Sequence, residues 1–112
     1  QASRESGRPM VIFITSDHCD YCDAMKSQTW CETTIRDRVG DSFVAIRLKQ
    51  GRNIRALSRV KIPIYPITLV GSPEGKVVAK RMGFQPPGGL HQLFSEAGAR
   101  ILSRRSSNVR KR

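Results

Sequence analysis

No apolar run in this chain is longer than five residues. The longest, residues 10–14 (Met-Val-Ile-Phe-Ile), falls far short of the ~20 needed for a helix to cross a bilayer, so a transmembrane helix is excluded. The first ten residues hold no apolar stretch of the kind a secretory leader requires. No segment repeats. Length is short too: 112 residues and 12.6 kDa leave no room for two domains, although one domain of this size buries roughly two-thirds of its unfolded surface. Acid is scarce, with 9 Asp and Glu against 20 Lys and Arg, for a net charge of +11. None of those acids falls in the last 13 residues, which carry six cations.

What is present is ordinary for a folded chain: 38% apolar and 26% charged residues. The segment 103–112 is the exception, because its single apolar residue, Val109, is too little to offset the entropy of ordering it. It is expected to be a disordered basic tail beyond a domain over residues 1–102. A tail of that charge is suited to nucleic acid or an anionic membrane surface, with salt-dependent affinity, or it is simply a solvated terminus.

Hydrophobic patterning outlines the domain. Residues 10–14 are β-branched and nearly continuous, which predicts a strand covered on both faces at the centre of a sheet. Ser16-Asp17 offers a cap for a helix over about 20–28. Residues 30–38 read as irregular chain followed by a short helical turn closed at Gly40-Asp41, and residues 43–48 as a second buried strand. Ile54, Leu57 and Val60 mark a weak amphipathic helix over 53–60. Pro63 and Pro66 then impose a rigid bend. Residues 67–70 and 76–80 are strands joined by the turn Gly71-Ser-Pro-Glu-Gly75, hence antiparallel neighbours. After a break at Gly83 and a loop at 86–89, Leu90, Leu93, Phe94, Ala97 and Ile101 trace one stripe of a closing helix. Alternating strands and helices followed by a hairpin imply an α/β fold: a mixed central sheet, partly parallel with an antiparallel hairpin, flanked by helices. Trp30, Phe43, Phe84, Phe94 and Met25 are the core candidates.

The chemistry concentrates in Ser16-Asp-His-Cys19-Asp20-Tyr21-Cys22, a C-x-x-C where a buried strand meets a helix. At helical spacing the two sulfurs share a face and can close or open a small disulfide ring. A cysteine at a helix N-terminus sits among unpaired N–H groups that favour thiolate, so Cys19 is the expected nucleophile and Cys22, one turn in, the resolving thiol. Two other readings of the pair stay open here. His18, Cys31 and His91 could complete a zinc site, although the usual second Cys/His knuckle is missing, and an inert structural disulfide needs no partner at all. Cys31 is expected to be a small buried apolar residue, and His91 a surface or boundary histidine.

Residues 8–22 (Arg-Pro-Met-Val-Ile-Phe-Ile-Thr-Ser-Asp-His-Cys-Asp-Tyr-Cys) resemble the opening of thioredoxin-fold proteins, particularly the small or exported thioredoxin-like disulfide reductases. The resemblance runs to about residue 102. Residues 60–70 are similar to the segment that ends in a cis-proline before a central strand, Glu74-Gly-Lys-Val-Val78 to the family's hairpin, and Arg81-Met-Gly-Phe84 to its close. It implies that Pro66 is the cis-proline lying against the active-site disulfide. Tyr65, with His18 and Tyr21, would shape a groove that takes an extended substrate strand. The chain departs from thioredoxins proper in having His18 before the first cysteine and Asp20-Tyr21 between the pair, closer to glutaredoxins and some periplasmic isomerases. At the position of the family's buried acid, six residues before Cys19, stands Phe13.

The implied activity is thiol–disulfide exchange with protein substrates, on the reductase side. Asp20, with Asp17 and Asp23, sets negative charge beside the Cys19 sulfur and disfavours its thiolate, which favours a stable disulfide and a reducing protein; a protonated His18 opposes this. No metal and no cofactor beyond the Cys19–Cys22 dithiol is expected. The partners are protein thiols or disulfides and a redox recycling partner not readable here, with the chain itself a monomer. The Arg8-Pro9 opening favours an exported or periplasmic chain with its leader removed over a cytoplasmic one. A binding module on this fold without turnover is the competing class.

Overall fold

The computed structural model describes residues 6–50 and 64–110, with side chains to Arg105. Strand β1 (Met10–Thr15) lies inside a four-stranded sheet of order β2-β1-β3-β4, formed with β2 (Val44–Lys49), β3 (Ile67–Gly71) and β4 (Val77–Met82). It pairs in parallel with β2, from Met10 opposite Val44 to Thr15 opposite Lys49. On its other side it pairs antiparallel with β3, from Met10 opposite Gly71 to Ile14 opposite Ile67. Parallel neighbours cannot be joined by a tight turn, and here the connection carries helix α1 (Asp20–Met25), a single π-helical turn (Lys26–Trp30) and helix α2 (Thr33–Ser42). β3 and β4 form the expected antiparallel hairpin, whose turn contains Gly75 at φ +91°, a conformation costly to any residue with a Cβ. Helix α3 (Pro87–Arg110) closes the fold. Among the described residues no helix is long and apolar enough to cross a membrane.

The core joins Val11 and Phe13 of β1 to Val70, Val78 and Ala79 of the hairpin, and covers them with Met25, Ile35 and Phe43 and with the α3 stripe Leu90, Leu93, Phe94 and Ala97. Phe94 meets Phe43 with ring centroids 4.7 Å apart, and the Arg38 guanidinium lies 5.5 Å from the Phe94 centroid. Of the aromatic core candidates, Phe43 and Phe94 are buried with Met25, whereas Trp30 and Phe84 pack against the core from its margin.

Four local expectations are corrected. Residues 30–38 are irregular only at Cys31 and Glu32, and the helix after them is longer than a short turn. A π turn and then a ten-residue helix occupy the span, capped by the Glu32 carboxylate, which accepts from the Ile35 N–H at 3.2 Å, and the helix continues through Gly40-Asp41 to Ser42. Only Ile35 and Val39 supply its apolar face, too few for a clear periodic signal. The strand expected over 43–48 is an edge strand among the described residues, with alternating exposure rather than burial; Arg47 is its exposed marker, opposite Phe13. Residues 86–89 are not all loop, because Pro87 begins α3, where a missing N–H costs nothing. Residues 103–110, expected as a disordered tail, are helical in backbone: extending an anchored helix needs no new nucleus, and Arg is a good helix former. The helix expected over 53–60 and the bend at 62–63 lie outside the described residues.

Truncation of Phe94, 2% exposed, to Ala is expected to cost about 3–5 kcal/mol, read as a lower urea midpoint with unchanged slope. The carboxyls of Glu32 and Glu96 are held below their usual value of 4.5, the first mainly by the Thr34 hydroxyl and the second mainly by the hydrogen bond from Arg81. Their contribution is fully present above 4.5 and lost as pH falls through the lowered values. Urea midpoints at pH 7 and at about pH 3 should therefore differ less in Glu32→Gln/Glu96→Gln than in the native chain.

Candidate active site: the Cys19–Cys22 pair

β1 delivers the chain to one end of the sheet, where Thr15 is still buried and its carbonyl accepts from the Gln50 N–H at 2.9 Å. Three residues on, His18 turns the backbone with φ +54°, unusual for a residue with a side chain and typical of sites where geometry is imposed by function. The helix cap is then Cys19 itself, not Ser16-Asp17. Its backbone is extended (φ −108°, ψ 99°), its carbonyl accepts from the Asp23 N–H at 3.1 Å, and its sulfur accepts from the Cys22 N–H at 3.1 Å. Cys19 and Cys22 are joined in a disulfide with Cα atoms 5.2 Å apart. The two sulfurs are not equivalent: Cys19 is partly exposed, while Cys22 is 1% exposed. An incoming sulfur can reach only the first. Once the bond opens, the Cys22 N–H remains as a donor to the Cys19 sulfur, and donation of this kind stabilises thiolate over thiol.

The acids around the pair differ in their surroundings. Asp17 is bridged to Lys49 at 2.8 Å, across the β1–β2 register, and Asp23 to Lys26 at 4.0 Å. Asp20 is exposed between the cysteines, beside Tyr21, which is 68% exposed. His18 is exposed as well. Phe13 is in the core, edge-on to Trp30 with centroids 5.2 Å apart, so a hydrocarbon ring occupies that β1 position.

The Tyr65–Pro66 peptide bond is cis, with Pro66 buried and Tyr65 half-buried. The pairing of Ile14 with Ile67 and of Ile67 with Met82 brings Pro66, just before β3, to the same end of the sheet as residues 16–19. There the Pro66 carbonyl accepts from the N–H of Gly83 at 2.6 Å, where φ is +83°. Two exposed apolar side chains near this end were not singled out in the sequence, Ile64 at 50% and Met82 at 49%. Their signal is position alone: one stands two residues before Pro66, the other just before Gly83.

The remaining candidates lie apart from the pair. Cys31 is exposed rather than buried, its thiol donating to the Lys26 carbonyl at 3.0 Å: the π turn swings it off the face that Cys22 and Met25 bury. His91 sits between α2 and α3, with Nε2 2.9 Å from the Thr34 hydroxyl and Nδ1 3.0 Å from an Arg38 guanidinium nitrogen. Among the described residues no three His, Cys, Asp or Glu side chains gather in a group that could hold a metal.

The thioredoxin-like domain model matches residues 1–98. The chain belongs to the thioredoxin-like domain family. Its fold is thioredoxin-like: it superposes on a thioredoxin from Thermus thermophilus with a TM-score of 0.75 at 16% identity, covering 88% of this chain and 80% of that one. It is similar to a DsbH oxidoreductase (TM-score 0.67, 23% identity, 89% of this chain and 76% of that one). It also resembles the oxidised C-terminal domain of DsbD from Neisseria meningitidis (TM-score 0.69, 15% identity, 86% and 90%). No curated protein matches it by sequence. A thioredoxin-like fold with a C-x-x-C disulfide is consistent with thiol–disulfide oxidoreductase chemistry.

In the oxidised thioredoxin-like chain Cys31 is the one free thiol. Iodoacetamide should modify it alone under native conditions. After reduction Cys19 should react next and Cys22 last, with the modified positions identified by peptide mass.

Proposed function

We propose that this chain is a thiol–disulfide oxidoreductase that reduces disulfides in protein substrates. The observation that carries the reading is the unequal exposure of the two sulfurs, Cys19 reachable and Cys22 buried. In the reduced state the Cys19 thiolate attacks a substrate disulfide. A Cys19–substrate disulfide forms, the first substrate sulfur leaves as thiolate, and that thiolate takes a proton from solvent. Cys22, deprotonated, then attacks the Cys19 sulfur. This expels the second substrate thiolate and closes the Cys19–Cys22 disulfide, so two electrons have passed from the dithiol to the substrate. A separate reductant restores the dithiol, and no other cofactor takes part. Pro66 and Tyr65 present backbone to an extended substrate segment, with His18 and Tyr21 at its sides.

Charge supports this direction. With Asp17 and Asp23 facing lysines, Asp20 is the carboxylate left to act on the Cys19 thiolate. It raises the energy of that thiolate and so favours the disulfide form of this chain.

Insulin reduction with dithiothreitol as donor tests the reading: Cys19→Ser should fall to the uncatalysed rate, and Cys22→Ser should accumulate a mixed disulfide with insulin. Equilibration with glutathione should place the potential nearer −270 than −120 mV, and Asp20→Asn should make it less negative. No insulin reduction and no trapped adduct would assign the chain to the non-catalytic binding class instead.

A further inference from the structure

β4 is an edge of the described sheet, and alternate residues of an edge strand turn their backbone groups outward. The Gly83 N–H donates inward to Pro66, so Ala79 and Arg81, in phase with Gly83, face β3. Lys80 and Met82 face away from it; Val78 stands at a register shift opposite Val70 and Gly71, and its carbonyl meets a donor from outside the sheet. A row of open carbonyls and N–H groups is a template for another strand.

Each of these three outward carbonyls meets a side-chain donor. Arg100 Nη1 donates to the Val78 carbonyl at 2.6 Å and Arg81 Nη1 to the Lys80 carbonyl at 2.9 Å; Gln85 Nε2 makes a longer contact of 3.5 Å with Met82. The two arginines are aimed by one carboxylate. Glu96, one turn before Arg100 on α3, holds Arg81 Nη2 at 2.6 Å through Oε2 and Arg100 Nη2 at 3.0 Å through Oε1. Glu96 and Arg81 are only about a third exposed, which restrains the geometry more than a free surface ion pair would. Beneath this guard the strand invites contact, since Val77 and Met82, near its two ends, are each about half exposed.

We propose that Arg81, Glu96 and Arg100 form an edge lock that keeps β4 closed to a second copy of this chain, with Glu96 as its keystone. A second copy is the fitting intruder because antiparallel β4–β4 pairing about a two-fold axis is self-complementary: both strands offer the same alternation of donors and acceptors. The N–H groups of an incoming strand need the carbonyls of Val78 and Lys80, and both are occupied by guanidinium. The lock involves neither cysteine nor Pro66, so it acts on assembly and not on thiol chemistry.

Sedimentation velocity of the full chain over a wide concentration range tests this. The native chain should sediment as a 12.6 kDa monomer throughout. Glu96→Ala/Arg100→Ala should reach twice that mass as concentration rises, with the N–H groups of Lys80 and Met82 newly protected from hydrogen exchange. Glu96→Gln keeps the side-chain volume and serves if the double variant does not fold; it should dimerise at the upper end of the range. A native chain already paired through β4, folded variants that stay monomeric, or dimers without protection at those two amides would overturn the proposal.

Discussion

Strand β1 has little solvent-facing surface: Val11, Phe13, Ile14 and Thr15 are each at most 5% exposed, with β2 along one edge and β3 along the other. Parallel pairing with β2 obliges the chain to travel back along the sheet before β2 can begin, and that journey starts at the C-terminal end of β1. The cysteine pair sits at this departure point. Because β3 runs antiparallel to β1, its first residue arrives at the same end, bringing Pro66 with it. Two segments about fifty residues apart in sequence are thus gathered by the pairing of one buried strand, before any interaction between them is considered.

At the departure point the cap and the chemistry are the same atom. A helix N-terminus needs an acceptor for its free N–H groups, and here that acceptor is the Cys19 sulfur. The local stability of α1 and the ionisation of the Cys19 sulfur once reduced therefore draw on one hydrogen bond. Around it the charges are arranged unevenly, with lysines answering Asp17 and Asp23 while Asp20 stands exposed between the two cysteines in the chain.

Much of this was legible in the sequence because the informative segments are short and strongly patterned. The continuous run of β1, the Gly-Ser-Pro-Glu-Gly turn, the α3 stripe and the C-x-x-C spacing each express one local rule. Other features depend on tertiary context. Helix α2 has only Ile35 and Val39 to mark its inner face and is stabilised by a Glu32 cap and by Phe43 and Phe94 packing beyond its end. The exposure of Cys31 follows from a π turn, one of whose residues, Thr29, is buried and donates to the Gln85 carbonyl at 2.6 Å; no periodicity announces such a turn. Ile64 and Met82 gain meaning only from the strand register. The capping of β4 is likewise invisible in one dimension, since Arg81, Glu96 and Arg100 meet only when α3 lies along that strand.

Helix α3 starts just after Gly83, at the end of the sheet that holds the sulfurs, and runs toward the β3–β4 turn. At that far end Arg105 adds to the effect of the local backbone and of Ser72 in keeping the Glu74 carboxyl below its ordinary range. The last 13 residues hold six cations and no acid, whereas Asp17, Asp20 and Asp23 flank and separate the two cysteines in sequence. The Arg105 end of α3 and the Cys19 sulfur thus lie at opposite ends of the sheet.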